Sequence, residues 1–268
     1  MVELRKLLRR PRTWVTIAML TALPTLVAIL IAVTDLGPRP GEGPAFLSAV
    51  LTDGSLFPLA ALAIVLPLFL PVAVAVVAGD SVAGEAQGGT LRYLLVRPVG
   101  RTRLLVAKLV AVIAFILIAV VVVAGTAYVV GTALLGDGTA VAASSVSGTV
   151  LTPEQVAGRT VLAIGYVTLS MLGVAAMALF LSTLTDSPLA AALGALALLI
   201  ASSLLLTLDA AGALQPYLPT RYWLAFVDLF RDPIFWRDIT RGVLLQGVYV
   251  VALLGAAWAN FSTKDVTS

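Results

Sequence analysis

The sequence contains no cysteine and no histidine, and each absence excludes a class of chemistry. Without cysteine, the 268-residue chain has neither a disulfide framework nor a thiolate metal site. Without histidine, it lacks the commonest metal ligand and the commonest general base. It also has no G-x-x-x-x-G-K-[ST] segment, the phosphate-binding loop of many ATPases. The chain is therefore expected not to be an enzyme, and to carry no cofactor of its own.

Charge is scarce as well. Only 12% of the residues are charged, 60% are hydrophobic, and the mean hydropathy is +1.06. A soluble globular domain has about 25% charged residues. This composition cannot cover a surface that faces water, and it indicates an integral membrane protein.

Long apolar runs set the predicted architecture. A bilayer core about 30 Å thick requires roughly 20 apolar residues in a helix. Six runs satisfy this, with predicted spans at 14–33, 56–78, 104–135, 160–184, 187–208 and 242–263. The first run is longer than the roughly 7–15 apolar residues of a signal peptide, and no A-x-A site follows it, so a retained span is favoured. Lys108 lies about one turn into the third span, from where its ammonium can reach the interface.

Orientation is predicted from lysine and arginine in short loops. Five cations lie before the first span, and four lie in the loop after the second span, at Arg92, Arg97, Arg101 and Arg103. Both termini and the loop 79–103 are therefore expected in the cytoplasm. The outer segment 209–241, which holds four arginines, goes against this count, but the first helix usually dominates.

Two segments outside the spans are predicted to lie at the membrane surface. Residues 1–12 read as an amphipathic interfacial helix, with Leu4, Leu7 and Leu8 on one face, separated from the first span at Pro11. The outer segment 209–241 is aromatic-rich. A short helix is expected there from Arg221 to Pro233, with Trp223, Phe226, Val227 and Phe230 on one face. An aromatic belt at headgroup depth is favoured for it, and a gate is the alternative. The loop 136–158 is predicted to be a flexible outer connection.

The loop 79–103 carries the most specific pattern. A helical continuation is predicted to about Gln87, ended by Gly88 and Gly89. Thr90 can cap a second short helix that ends before Pro98. The apolar face of that helix, which holds Leu91, Leu94 and Leu95, is suited to the groove of a partner protein.

The pattern E-x3-G-T-L-x2-L-L-x2-P-V-x-R from Glu85 to Arg101, followed by an apolar run with Lys108, resembles the first cytoplasmic loop of the ABC-2 permease subunits. Gly100 departs from the serine or threonine usual there. The resemblance implies an all-α fold with six transmembrane helices and an N-terminal interfacial helix, in a homo- or heterodimer. It also implies separate ATPase subunits, which bind ATP and Mg²⁺.

Carried over to this chain, the resemblance assigns the ATPase-coupling residues. They are Asp80, Glu85, Thr90, Leu91, Arg92, Leu94, Leu95 and Arg97, with Glu85 as the polar anchor of the loop. Relatives mostly export compounds along a path at the dimer interface, near the second and fifth spans. Ser202 and Ser203 are the candidate substrate contacts, and the apolar surroundings suit an apolar or amphiphilic cargo.

Two other functions stay open at this stage. The chain can be a membrane anchor that recruits an ATPase without moving anything, or a secondary carrier. The carrier is disfavoured because no ionisable residue lies at the centre of a span. Lipid and protein partners are expected, and no nucleic acid. The excess of arginine over lysine hints at a GC-rich genome, and hence at the plasma membrane of a prokaryote.

Overall fold

The computed structural model describes residues 2–34, 53–89, 100–136, 143–144 and 150–263. Eight α-helices occur in this part of the chain. They are α1 (Val2–Arg9), α2 (Pro11–Thr34), α3 (Phe57–Val65), α4 (Phe69–Gln87), α5 (Arg101–Leu135), α6 (Pro153–Leu184), α7 (Pro188–Thr207) and α8 (Trp236–Thr263). A two-residue strand pair, Ala143–Ser144 with Val150–Leu151, is antiparallel.

Six of these helices, namely α2, α4, α5, α6, α7 and α8, are long and apolar enough to cross a membrane. This confirms the predicted all-α membrane fold with six candidate spans. The amphipathic helix at the N-terminus is present as α1, and α2 begins at Pro11. A proline suits this first position because its missing N–H has no partner within a helix.

Helix α6 is the centre of the bundle. It packs against α4, α5, α7 and α8, whereas α2 and α3 pack against α5. Small residues allow close approach in such a bundle, where burial of apolar surface from water does not drive association. At Gly79 of α4, an added Cβ would lie 3.0 Å from the backbone nitrogen of Ala192 in α7. The helices therefore meet backbone to backbone at this point.

The second predicted span is interrupted rather than continuous. Helix α3 ends at Val65 and α4 begins at Phe69, with a turn over residues 66–68. Pro67 explains the break, because its ring clashes with the carbonyl four residues earlier and it has no N–H to donate. Pro58 and Pro71 lie in the first turns of α3 and α4, where the missing N–H costs little.

Helix α6 begins at Pro153, inside the stretch predicted to be a flexible connection. The side chain of Thr152 accepts from the backbone N–H of Gln155, whose side-chain oxygen accepts from the N–H of Thr152. This reciprocal capping box starts the helix before its apolar run. The sequence T-P-E-Q indicates this helix start, and a count of apolar residues does not detect it.

The bundle has two distinguishable ends. The basal end, as named here, contains α1, the end of α4, the start of α5, the α6–α7 turn and the end of α8. Several polar contacts join them: Arg101 donates to the Ser262 carbonyl at 2.8 Å, and Asn260 donates to the Thr183 carbonyl at 2.9 Å. The other end contains Gly54, Gly136 and the segment 209–235, with Gly54 N–H donating to the Gly136 carbonyl.

Candidate functional site

Helix α4 carries two of the predicted coupling residues to the basal end. It continues through Asp80 and Glu85 to Gln87, and ends at Gly88 and Gly89. Gly89 has φ +66°, a left-handed conformation that glycine adopts without steric cost. The predicted helical continuation and its glycine stop are both confirmed. The carboxylates of Asp80 and Glu85 are thus placed by one rigid helix.

Glu85 forms a buried ion pair with α5. Its Oε2 lies 2.7 Å from Nζ of Lys108, and the two residues are 7% and 2% exposed. The Lys108 ammonium also donates to the carbonyl of Ser81. A buried charge is costly unless it is paired, and here each group supplies the counter-charge of the other.

The prediction that Lys108 reaches the interface by snorkelling is wrong. Helix α5 begins at Arg101 rather than near Leu104, so Lys108 lies about two turns from its start. The Glu85 carboxylate faces Lys108 where α4 contacts α5, so the ammonium is paired inside the protein and does not extend to the interface. Lys108 is nevertheless near the basal end of α5, away from the centre of the span.

Helix α1 completes the charged cluster. Lys6 Nζ lies 3.2 Å from Glu85 Oε1, and Arg10, next to the end of α1, lies 2.9 Å from Asp80 through its Nη1 and Oδ2. The four residues Lys6, Arg10, Asp80 and Glu85, together with Lys108, are called the basal ion network below. Part of the polar face of α1 therefore points into the protein rather than only toward lipid headgroups.

Sequence analysis missed the partners of Asp80 and Glu85. Lys6 and Arg10 are four residues apart and share one helix face, whereas Asp80 and Glu85, which are five apart, do not. The pair of cations on one face of α1 was the available signal. Assigning α1 only to the membrane surface concealed it.

The remaining predicted coupling residues, Thr90, Leu91, Arg92, Leu94, Leu95 and Arg97, lie outside the described residues. The chain leaves α4 at Gly89 and enters α5 after Gly100, both at the basal end. The start of α5 is anchored to α8, since Nε1 of Trp258 donates to Oγ1 of Thr102 at 2.9 Å.

A serine of α6 forms hydrogen bonds with the backbone of α4. Ser182 is fully buried, and its hydroxyl donates to the Gly79 carbonyl at 2.7 Å. The same oxygen accepts from the backbone N–H of Val82 at 3.2 Å and of Ala83 at 2.9 Å. These three contacts tie α6 to α4 just before the charged end of α4.

The two candidate substrate residues differ in environment. Ser202 is buried, and its hydroxyl lies 2.7 Å from that of Thr220 in the outer segment. Ser203, the next residue on α7, is exposed. Ser202 therefore ties α7 to the far end of the bundle, and Ser203 alone of the two is available to a ligand.

The outer segment packs into the protein instead of lying as an aromatic belt. Residues Trp223–Phe230 form a 3₁₀-helix, in which side chains three apart share a face. Trp223, Phe226, Leu229 and Phe230 are buried, and Val227 is partly buried against the same core. The predicted apolar face is therefore present, with Leu229 added to it. The exposed aromatic residues that fit a belt are Tyr217, Phe235 and Trp236.

Polar contacts fasten this outer segment to α6 and α8. Tyr166 Oη donates to the Tyr222 carbonyl, and Gln246 Nε2 donates to the Pro219 carbonyl, both at 2.7 Å. Arg159 donates to the Arg231 carbonyl at 3.0 Å. Among the described residues, no cluster of three or more acidic side chains could hold a metal ion.

Residues 2–231 match the family model described as ABC-2 family transporter protein. The chain belongs to the ABC-2 transporter family. A comparison with curated proteins found no match. Family membership makes the chain a multi-pass membrane permease of an ABC transporter, a transport component that is not itself an ATPase and whose family associates with ABC ATPase partners.

Proposed function

We propose that this ABC-2 permease pairs with a second permease subunit and exports an apolar or amphiphilic compound, driven by separate ATPase chains that bind ATP and Mg²⁺. Its basal end faces the cytoplasm of a prokaryotic cell, and the loop 90–99 docks on the ATPase. The ATPase supplies the energy, and the permease supplies the path.

The basal ion network is the observation that carries this proposal. A force applied to the loop 90–99 acts on both of its ends, at Gly89 and Gly100. The end of α4 is held to α5 by Glu85 and Lys108, and to α1 by Lys6 and Arg10. A displacement of the loop therefore moves three helices together rather than bending one end.

We infer different roles for the predicted coupling residues. The Glu85 carboxylate is occupied by lysines of its own chain. We assign it the role of fixing the base of the loop, so that the ATPase contact rests on the apolar residues Leu91, Leu94 and Leu95. An apolar helix face held in a groove is a common way for proteins to bind a helix.

The orientation is supported by the separation of charge between the two ends. Within the described residues, the basal end holds Arg5, Lys6, Arg9, Arg10, Arg12, Arg101, Arg103 and Lys108. Among the same residues, the opposite end holds five arginines, Arg159, Arg221, Arg231, Arg237 and Arg241. We infer that the end with more lysine and arginine is cytoplasmic.

The proposed docking is tested by measuring how much ATPase co-purifies with the Leu94→Asp variant of the permease. A charge on the apolar face is expected to abolish the association while the protein still inserts. Leu214→Asp is the matched control, because Leu214 is 57% exposed in the outer segment. Co-purification of Leu94→Asp at the wild-type ratio would contradict the docking assignment.

The transport test uses liposomes that contain the permease and its ATPase. ATP hydrolysis stimulated by an apolar or amphiphilic compound, together with ATP-dependent flux of that compound, supports the exporter. Hydrolysis that does not respond to any cargo, without flux, supports a membrane anchor. Flux driven by an ion gradient through the permease alone supports a carrier.

A further inference from the structure

A cavity of about 400 Å³ lies at the basal end, behind α1. Helix α1 and the first turns of α2 form one wall, and the ends of α4 and α5 form the other. The apolar part of its lining comes from Leu7, Val76, Val77, Ala111 and Val112. A volume of a few hundred Å³ is in the range of small-molecule sites.

Cations outnumber acids around this cavity. Its lining includes the cations Lys6, Arg10, Arg12 and Lys108, and the acids Glu3, Asp80 and Glu85. Glu85 is occupied by the two lysines and Asp80 by Arg10. The side chain of Arg12 is exposed, and it forms no ion pair within the part of the chain that the structure describes.

The two arginines are suited to a phosphate. A guanidinium has five N–H donors, of which Arg10 uses one on Asp80. Its side chain is 39% exposed, so its other donors are accessible from the cavity. Paired arginines bind phosphate oxygens through several parallel hydrogen bonds, which gives affinity and orientation.

The residues that line the inner part of the cavity indicate the chemistry of the rest of the ligand, beyond its phosphate. Thr13 and Thr16, in the first turns of the membrane-spanning helix α2, line it together with the valines. The lining thus changes from charged residues near the end of α4 to apolar residues about one turn further into the bundle. A lipid at the interface has the same order, with an anionic headgroup above acyl chains.

We propose that this cavity binds an anionic phospholipid, with the phosphate on Arg10 and Arg12 and the first acyl carbons against Val77 and Val112. The lipid lies in the leaflet on the basal side, between the first turns of α2 and the helices α4 and α5, beside the ion pairs that hold α1 to α4. This site does not depend on the ATPase. Loss of lipid binding and loss of ATPase binding are therefore separate results.

The test is lipid retention by the full-length protein, measured by native mass spectrometry after titration in detergent. Phosphatidylglycerol is compared with phosphatidylcholine, and with glycerol 3-phosphate as a soluble phosphate without acyl chains. The site variant is Arg10→Gln with Arg12→Gln. The control is Arg5→Gln with Arg9→Gln, because these neighbouring arginines are exposed and do not line the cavity.

One tightly held phosphatidylglycerol is expected on the wild type and on the control. The site variant is expected to bind it about 25-fold more weakly, since each of the two cations near an anionic headgroup contributes about fivefold. Thr16→Phe, which fills the cavity without changing charge, is expected to have a similar effect. An equal loss of phosphatidylglycerol binding in the site variant and in the control variant indicates general attraction to a charged surface and overturns the site. Equal binding of phosphatidylcholine overturns the anionic headgroup, and equal binding of glycerol 3-phosphate overturns the lipid.

Discussion

Glu85 of α4 and Lys108 of α5 form an ion pair of 2.7 Å with both side chains buried. The motif that identified Glu85 placed it at the start of a docking loop, whereas the structure surrounds its carboxylate with groups of the same chain. The pair joins the two helices that enter and leave the loop. Its removal should therefore affect the protein itself before it affects any partner.

Glu85→Gln is expected to destabilise the protein by about 3–5 kcal/mol, because it leaves the Lys108 ammonium buried without a counter-charge. Lys6→Met should cost only about 0–1 kcal/mol, since the Lys6 side chain is 43% exposed. Thermal or denaturant unfolding in detergent measures both. Equal effects of the two substitutions would show that burial does not govern this network.

Glu85→Gln combined with Lys108→Met is expected to recover most of the lost stability. The double variant removes both buried charges and keeps similar side-chain volumes, a replacement that is often neutral or stabilising. A double variant that is less stable than Glu85→Gln alone would contradict the ion-pair explanation.

Exchanging the charges of Arg10 and Asp80 tests how α1 is held. Each single reversal, Arg10→Asp or Asp80→Arg, places like charges together and should loosen α1. The native chain has no cysteine, so Glu3→Cys on α1 reports without background. The maleimide labelling rate of this cysteine should rise in each single reversal. It should return toward the wild-type value in the double variant, Arg10→Asp with Asp80→Arg. A double variant that is labelled as fast as the single reversals would exclude a specific pair.

Two glycines of α8 provide a matched packing test. A Cβ at Gly242 would meet the hydroxyl of Tyr166 and, at 2.9 Å, the Cβ of Tyr222, whereas a Cβ at Gly247 meets nothing within 4 Å. Gly242→Ala should cost about 1–3 kcal/mol through overpacking. Gly247→Ala should be neutral or stabilising, because alanine favours helix by about 1 kcal/mol. Unfolding temperatures that change in the reverse order would contradict the packing of the outer segment.

The Ser182 contact with α4 is tested against another buried serine of the same helix. The Ser170 hydroxyl donates to the Tyr166 carbonyl at 3.0 Å, a bond within its own helix. Ser182→Ala is expected to cost about 0.6–1.7 kcal/mol, the range of hydrogen bonds between membrane helices. Ser170→Ala should change the unfolding free energy by less. If the two substitutions have equal effects, the bond between the helices has no special role.

The architecture was predictable because it depends mainly on local sequence. Uncharged runs of sufficient length must be helical in a bilayer, since the backbone has no other partners there. Helix ends that carry strong local sequence signals could also be predicted, as at Gly88 and Gly89. The start of α6 was missed because its capping box lies in a polar stretch that counting apolar residues discards.

The site was less predictable because its contacts join distant segments. Lys6 and Glu85 are 79 residues apart, and their contact depends on how α1 folds back at Pro11. The 3₁₀ geometry of 223–230 depends on packing against α6 and α8, which no local periodicity reveals. Local patterns thus identified Glu85 as unusual but did not identify what it contacts.

The most direct test of the proposed coupling is labelling of two single cysteines by a membrane-impermeant maleimide in intact cells. Ala213→Cys, exposed at the far end, should be labelled from outside. Leu94→Cys should be labelled only after permeabilisation, and should be protected when the co-purifying ATPase is bound. Labelling of Leu94→Cys from outside, or at the same rate with and without bound ATPase, would contradict the account.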